Sequence, residues 1–258
     1  MANNVFTIQE LSFAYGDQRI FEGLDLELHE GVVTTLIGAN GSGKSTLFNL
    51  MTTNLKAQAG SIFLRGGDVG QLRLKDFAKL VAIVHQRNTV PVDLAVEKLV
   101  AYGRFPHRGI GRAADTDEDE RMVAWALETT GLADFAKLPV SSLSGGQAQR
   151  AWIAMALAQG SQVLLLDEPT TFLDVRYQLD ILHLVQRLNR EFGMTVVMVL
   201  HDVNQALHYS DHLVALAGGR IVAQGDPCDV VTPALLEQVY DVALEVTTVR
   251  GRPFVLQV

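Results

Sequence analysis

"VVTTLIGANGSGKST", residues 32–46, passes from a β-branched apolar run through a glycine-rich loop into the start of a helical pattern. Residues 38–45 fit G-x-x-x-x-G-K-[ST]: the glycines let backbone N–H groups close on an anion, and the helix that follows points its positive N-terminus at it. The strand before the loop and "STLFNLMT" (45–52) after it supply the context the pattern requires. Lys44 is then placed for the β- and γ-phosphates of a nucleoside triphosphate, and Ser45 for a magnesium ion.

Three further short apolar runs, "LVAIVHQ" (80–86), "VLLLDE" (163–168) and "TVVMVLHD" (195–202), lie far apart with long helical stretches between them. This is the signature of parallel strands buried on both faces, hence an α/β doubly wound sheet. In contrast, "VFTIQELSFAY" (5–15) and "LDLELHEG" (24–31) alternate apolar with polar residues, and with "SIFLR" (61–65) they predict a half-exposed antiparallel sheet. The parallel runs end in Gln86, in Asp167 and Glu168, and in His201. Ligands of open α/β sheets bind off the carboxyl ends of strands, so these groups are expected to converge around the phosphate loop. Taken alone, Gln86 or His201 reads as a solvated strand end. Asp167 would complete the magnesium site with a hard oxygen donor. Glu168, one residue further out, suits a general base for an attacking water.

Composition bounds the rest. The 258 residues are 48% hydrophobic and 19% charged, a globular profile that predicts one α/β core carrying a smaller subdomain. A net charge of −8 without a dense basic run argues against binding to nucleic-acid backbones. Cys228 is the only cysteine, so no intrachain disulfide forms, and "MANNVFTIQE" has neither a basic nor an apolar signal region; a cytosolic location is expected. The longest apolar stretch, "AWIAMALA" (151–158), is far below the roughly 18 residues that span a bilayer, so any membrane spans would come from other chains.

Tyr15 in "FAYG", "GANGSGKST" (38–46), Gln86 in "VHQ", "LSGGQ" (143–147), "VLLLDEPT" (163–170), "FLD" (172–174) and His201 in "VLHD" follow one another in the order of an ABC-type ATPase. The chain resembles that family from residue 15 to 201. The resemblance implies an α/β P-loop NTPase core with a parallel sheet, an N-terminal antiparallel β-subdomain and a helical subdomain that bears the signature motif. It also implies one ABC ATPase domain, with 1–85 and 161–258 forming the nucleotide-binding core and β-subdomain and 87–160 the helical subdomain.

ATP and Mg2+ are the implied ligands. By the resemblance, Tyr15 stacks on adenine, while Gly38, Asn40, Gly41, Ser42, Gly43, Lys44, Ser45 and Thr46 hold the phosphates. Ser45, Gln86 and Asp167 serve the magnesium, and Glu168, Gln86 and His201 are catalytic, His201 contacting the γ-phosphate. Asp174 lies in the loop that links two active sites. Ser144, Gly145, Gly146 and Gln147 bind the γ-phosphate of ATP held by a second copy, so that two chains sandwich two nucleotides. Physically, Ser144 and the N–H groups of Gly145 and Gly146 open a second helix N-terminus suited to an anion. Ala148 and Phe172 depart from the family's usual residues at the expected dimer contact.

The insert between Gln86 and the signature contains "YGRFPHRG" (102–109), which resembles ATPases of importers for ferric siderophores, haem and cobalamin. Its family role is to meet two membrane-spanning permease subunits, with a substrate-binding protein beyond them. Arg104, His107, Arg108 and Arg112 read as a basic surface loop, and "DTDEDE" (115–120) as acids supplied to a helix N-terminus. His208 and His212, four apart in a helical pattern, lack a third metal ligand. Gly218-Gly219 predicts a hairpin turn, Thr232 an N-cap before Pro233, and "EVTTVRGRPFVLQV" (245–258) a last hairpin. The expected function is the ATPase of an importer, peripheral on the cytoplasmic face of the membrane. The alternative is a soluble ABC ATPase acting on nucleic acid or ribosomes. Such relatives commonly carry two cassettes or basic linkers, which this chain does not show.

Overall fold

A computed structural model describes residues 3–86, 88, 93–108, 116–249 and 251–256, the side chain of Thr116 aside. Compactness divides the chain into two units, Met1–Leu72 with Asn189–Val258, and Arg73–Leu188.

The first unit opens with β1 (Asn4–Tyr15), β2 (Gln18–His29), β3 (Val33–Gly38), α1 (Lys44–Met51), β4 (Ala59–Leu64) and β5 (Gly67–Asp68). The alternating sequences form the expected antiparallel sheet, in the order β2-β1-β4-β5. Their apolar positions, among them Phe6, Ile8, Leu26 and Leu28, are the buried ones. β3 has no exposed position, in keeping with a strand covered on both faces.

The second unit contains α2 (Leu74–Leu80), β6 (Val81–Val84), α3 (Val96–Ala101), α4 (Thr116–Thr129), α5 (Gly145–Ala158) and β7 (Val163–Asp167), and from it α6 (Val175–Phe192) begins. β6 and β7 pair in parallel. The run "AWIAMALA" lies within α5 and supplies most of its buried residues.

The first unit resumes with β8 (Thr195–Val199), α7 (Val203–Tyr209), β9 (His212–Ala217), β10 (Arg220–Gly225), α8 (Pro227–Val230), α9 (Pro233–Tyr240), β11 (Glu245–Val249) and β12 (Arg252–Leu256). β3 lies between β8 and β9 and is parallel to both, while β10 pairs antiparallel with β9 across the Gly218-Gly219 turn. Thr232 caps α9 by accepting from the Leu235 N–H, with Pro233 at the first helical position. β11 and β12 form the last hairpin.

One expectation fails here. α7 ends at Tyr209 and His212 starts β9, so the two histidines do not share a helix face. Instead His212 packs edge-on against His29, at 5.6 Å between ring centres.

Candidate functional site

Two parallel strand pairs, one in each unit, set out the chemistry. In the first, Leu36 of β3 stands opposite Val199 of β8, and the Leu200 N–H donates to the Leu36 carbonyl at 3.3 Å. Gly38 and His201 each lie two residues beyond that pair, so loop and histidine leave the carboxyl edge at one level, on strands about 4.8 Å apart. In the second, Val84 of β6 stands opposite Leu166 of β7. Gln86 and Glu168 each lie two residues beyond, and Gln86 Nε2 donates to Glu168 Oε2. Thr171 Oγ1 donates to the same oxygen at 3.1 Å. The strand endings read from the sequence thus come together pairwise, within each unit.

Glu168 is held by more than its partners. Its φ is +49°, and Phe172, four residues on, has φ +65° and an 81% exposed side chain. Left-handed backbone at non-glycine residues costs roughly 1–3 kcal/mol and clusters where a side chain must be aimed. Asp167 ends β7 just before this bend.

The phosphate loop is built close. Gly38 has φ +157°, and a Cβ there would lie 2.5 Å from the Leu216 carbonyl and 2.5 Å from Ser42 Oγ, so no side chain fits. Lys44 is buried and donates from Nζ to the carbonyls of Gly38 at 2.7 Å and Ala39 at 2.9 Å, which holds its ammonium over the loop. Ser42 Oγ is buried and makes no hydrogen bond. An orphaned hydroxyl beside an ammonium and an uncapped helix end fits a phosphate, whose oxygens accept from all three. Ser45 and Asn40 are exposed and Thr46 is buried. Tyr15 ends β1 half exposed, edge-on to Phe13 at 4.9 Å, with a ring face left for a base.

The signature residues open α5. Ser144 is its N-cap: its Oγ accepts from the Gln147 N–H at 3.3 Å, and Gln147 Oε1 accepts from the Ser144 N–H at 2.9 Å, a complete capping box. Gly146 is fixed by packing, because a Cβ there would meet the Tyr177 ring at 2.4 Å. Gly145 is exposed and Ala148 part buried. Asp174 caps α6, accepting from the Tyr177 N–H at 3.2 Å. Sequence reasoning missed Thr171 and Tyr177. A polar residue inside "EPTTFLD" was signal enough for Thr171, whereas nothing marks Tyr177 as the wall behind Gly146.

The basic surface loop expected at 104–112 is corrected at Arg104, while His107 and Arg108 are exposed as expected. Arg104 is buried and paired with Asp119 at 2.7 Å, and its Nη1 donates to the Ala158 carbonyl, near the end of α5, at 2.8 Å. A guanidinium carried below the surface needs such partners to offset its desolvation. Nε2 of His107 lies 2.7 Å from the Gln159 carbonyl, and Arg108 reaches Asp119 at 3.3 Å. Burial alone would raise the Asp119 carboxyl, but the hydrogen bonds and charges of Arg104 and Arg108 hold it below the usual carboxylate value. Asp117 and Glu118 sit in the first turn of α4 as expected, whereas Asp119 turns inward to these arginines. Arg112 lies outside the described residues.

Among the described residues no helix is long and apolar enough to cross a membrane. The family model described as ABC transporter matches residues 21–171. The chain is 47% identical over 246 residues to the iron(3+)-hydroxamate import ATP-binding protein FhuC of Bacillus subtilis (strain 168), covering 95% of this chain and 91% of that one. It is 42% identical over 250 residues to the ferric enterobactin transport ATP-binding protein FepC of Escherichia coli (strain K12), covering 96% and 92%. Among solved structures it is similar to a dimeric post-hydrolysis ATP-binding cassette bound to ADP and Pi, with a TM-score of 0.73 and 28% identity over 86% of this chain and 98% of that one. The matched span takes in the phosphate loop, the capped signature helix and the Glu168 strand end, and on that ground the chain belongs to the ABC transporter family as its ATP-hydrolysing cassette.

Proposed function

We propose that this chain energises an ABC importer for an iron-siderophore, haem or cobalamin-type cargo. It works as a homodimer on the cytoplasmic face of the membrane, docked on two permease subunits that receive cargo from a substrate-binding protein. The observation that carries this reading is the 47% identity to an iron(3+)-hydroxamate import ATP-binding protein along 91% of that protein. A dimeric cassette of the same fold supports the sandwich of two copies. With net charge −8, no nucleic-acid partner is included.

The proposal extends to the residues. One ABC ATPase domain is divided into a nucleotide-binding core and β-subdomain, 1–85 and 161–258, and a helical subdomain, 87–160. Tyr15 stacks on the adenine, whose flat face an aromatic ring binds at little entropic cost. Gly38, Asn40, Gly41, Ser42, Gly43, Lys44, Ser45 and Thr46 enclose the phosphates, with Lys44 moving its ammonium from the loop carbonyls to the β- and γ-phosphate oxygens. Ser45, Gln86 and Asp167 are oxygen donors of the kind magnesium prefers, and the ion would offset charge on the phosphates. Glu168, oriented by Gln86 and Thr171, accepts a proton from the attacking water, a role worth roughly 10²- to 10⁴-fold in rate. His201 donates to the γ-phosphate. Ser144, Gly145, Gly146 and Gln147 meet the γ-phosphate of the partner's ATP, and Asp174 stands between the two sites. Loss of that phosphate removes the contact and opens the dimer, which turns chemistry into motion.

The test is co-purification with the cognate permease, followed by ATPase assay in vesicles. A complex whose turnover rises when loaded binding protein is added supports the importer. Absence of both complex and stimulation would favour a soluble ABC ATPase.

A further inference from the structure

The helix that follows His201 is gripped at both ends by the last strand. α7 begins two residues after His201, capped by Asp202, whose side chain accepts from the Gln205 N–H at 3.1 Å. In its first turn, Asn204 meets Val255 of β12 as a neighbouring strand would. The Val255 N–H donates to Asn204 Oδ1 at 2.8 Å, and Asn204 Nδ2 donates to the Val255 carbonyl at 2.9 Å. In its last turn, the His208 carbonyl accepts from Arg252 Nη1 at 3.2 Å. That carbonyl is one of those a helix leaves unpaired at its C-terminus. Val255 is fully buried. Burial pushes the hydroxyl of Tyr240, at the end of α9, up to about 12, and the negative charge of Asp202 raises it further.

A helix of seven residues does not sustain itself in water, so its direction comes from whatever holds it. A two-point contact to a backbone pair fixes both the position and the rotation of the first turn, and that turn sets where the chain delivers His201. We infer that Asn204 is a positioning residue for His201, and that the β11–β12 hairpin is a strap keeping α7 in the arrangement hydrolysis requires. The inference rests on the reading of His201 as a donor to the γ-phosphate. Such a donor serves the chemical step, so loosening the strap should change turnover and leave nucleotide entry alone.

The test is steady-state ATPase of the full chain in Asn204→Ala, Asn204→Gln, Arg252→Ala and, as control, His201→Ala, with thermal melts of each. Asn204→Ala should lower kcat about 10-fold, as expected for a catalytic group displaced by a fraction of an ångström, with KM for ATP within about twofold. Asn204→Gln, which keeps the amide, should recover part of the loss. An unchanged kcat in Asn204→Ala beside an inactive His201→Ala overturns the strap and leaves the His201 reading standing. A raised KM with kcat intact also overturns it. Full turnover in His201→Ala overturns both. Arg252 is exposed and its removal buries no unpaired group, so if Asn204→Ala fails to fold, the same split of kcat from KM in Arg252→Ala decides the matter.

Discussion

Two helices in this molecule begin at glycine-rich turns, and they are prepared for an anion in opposite ways. α1 starts behind Gly43, at φ +107°, and no side chain caps it. The Ser42 hydroxyl before it makes no hydrogen bond, and loop carbonyls hold the Lys44 ammonium. α5 starts behind Ser144 with its capping box closed, so two backbone donors and two side chains already satisfy one another. On the roles proposed above, α1 keeps its end open for the chain's own nucleotide, whereas α5, which would meet a partner's nucleotide only when two chains close, must survive without it, and an uncapped end would cost about 1 kcal/mol in every open state. The cap does not block the contact, because a hydroxyl that accepts from an N–H still has its own hydrogen to give.

The largest expected effect falls on the open end. Lys44→Ala should reduce ATP turnover roughly 10²- to 10³-fold, the scale for losing one preorganised donor to developing charge. Circular dichroism should show an intact fold, so that the loss reads the missing ammonium and not a misfolded chain. A loss confined to a few fold would mean that the uncapped helix end alone binds the phosphates. Next comes Gly146→Ala at the capped end. Its methyl would overlap the Tyr177 ring and cost roughly 1–3 kcal/mol by overpacking, read by chemical denaturation. The double variant with Tyr177→Ala should be less destabilised than the two losses summed, since the pair share one clash. Strict additivity would show that Gly146 is not fixed by this wall.

How far the sequence carried the reading differs between the two ends in the same sense. The phosphate loop and the four parallel strands were legible because each is local: a run of buried β-branched residues, then glycines at fixed spacing. The strand ends were legible too, and the structure adds the register: two residues past each paired position stand Gly38, His201, Gln86 and Glu168. What was not legible depends on side chains far apart in sequence. Arg104 read as a surface cation because its partners, Asp119 and the Ala158 carbonyl, are 15 and 54 residues away. His208 and His212 read as one helix because spacing does not reveal that Ser210 ends it. Asn204 carried no signal, since an amide two residues into a helix pattern says nothing of a strand 51 residues on.

The smallest expected effect tests the comparison itself. Ser144→Ala removes the side-chain half of the capping box and should lower the unfolding free energy of the nucleotide-free monomer by about 1 kcal/mol, whereas Ser144→Thr, which keeps a hydroxyl, should lose far less. The same pair made in a Glu168→Gln background, where turnover is blocked, reads the other half of the argument by gel filtration with ATP. If the serine gives its remaining hydrogen to the partner's nucleotide, the ATP-dependent dimer should persist with threonine and weaken with alanine. An alanine variant as stable as the parent would mean the box contributes nothing to the resting chain. The two helix ends would then differ only in the ligand they wait for, not in how they wait.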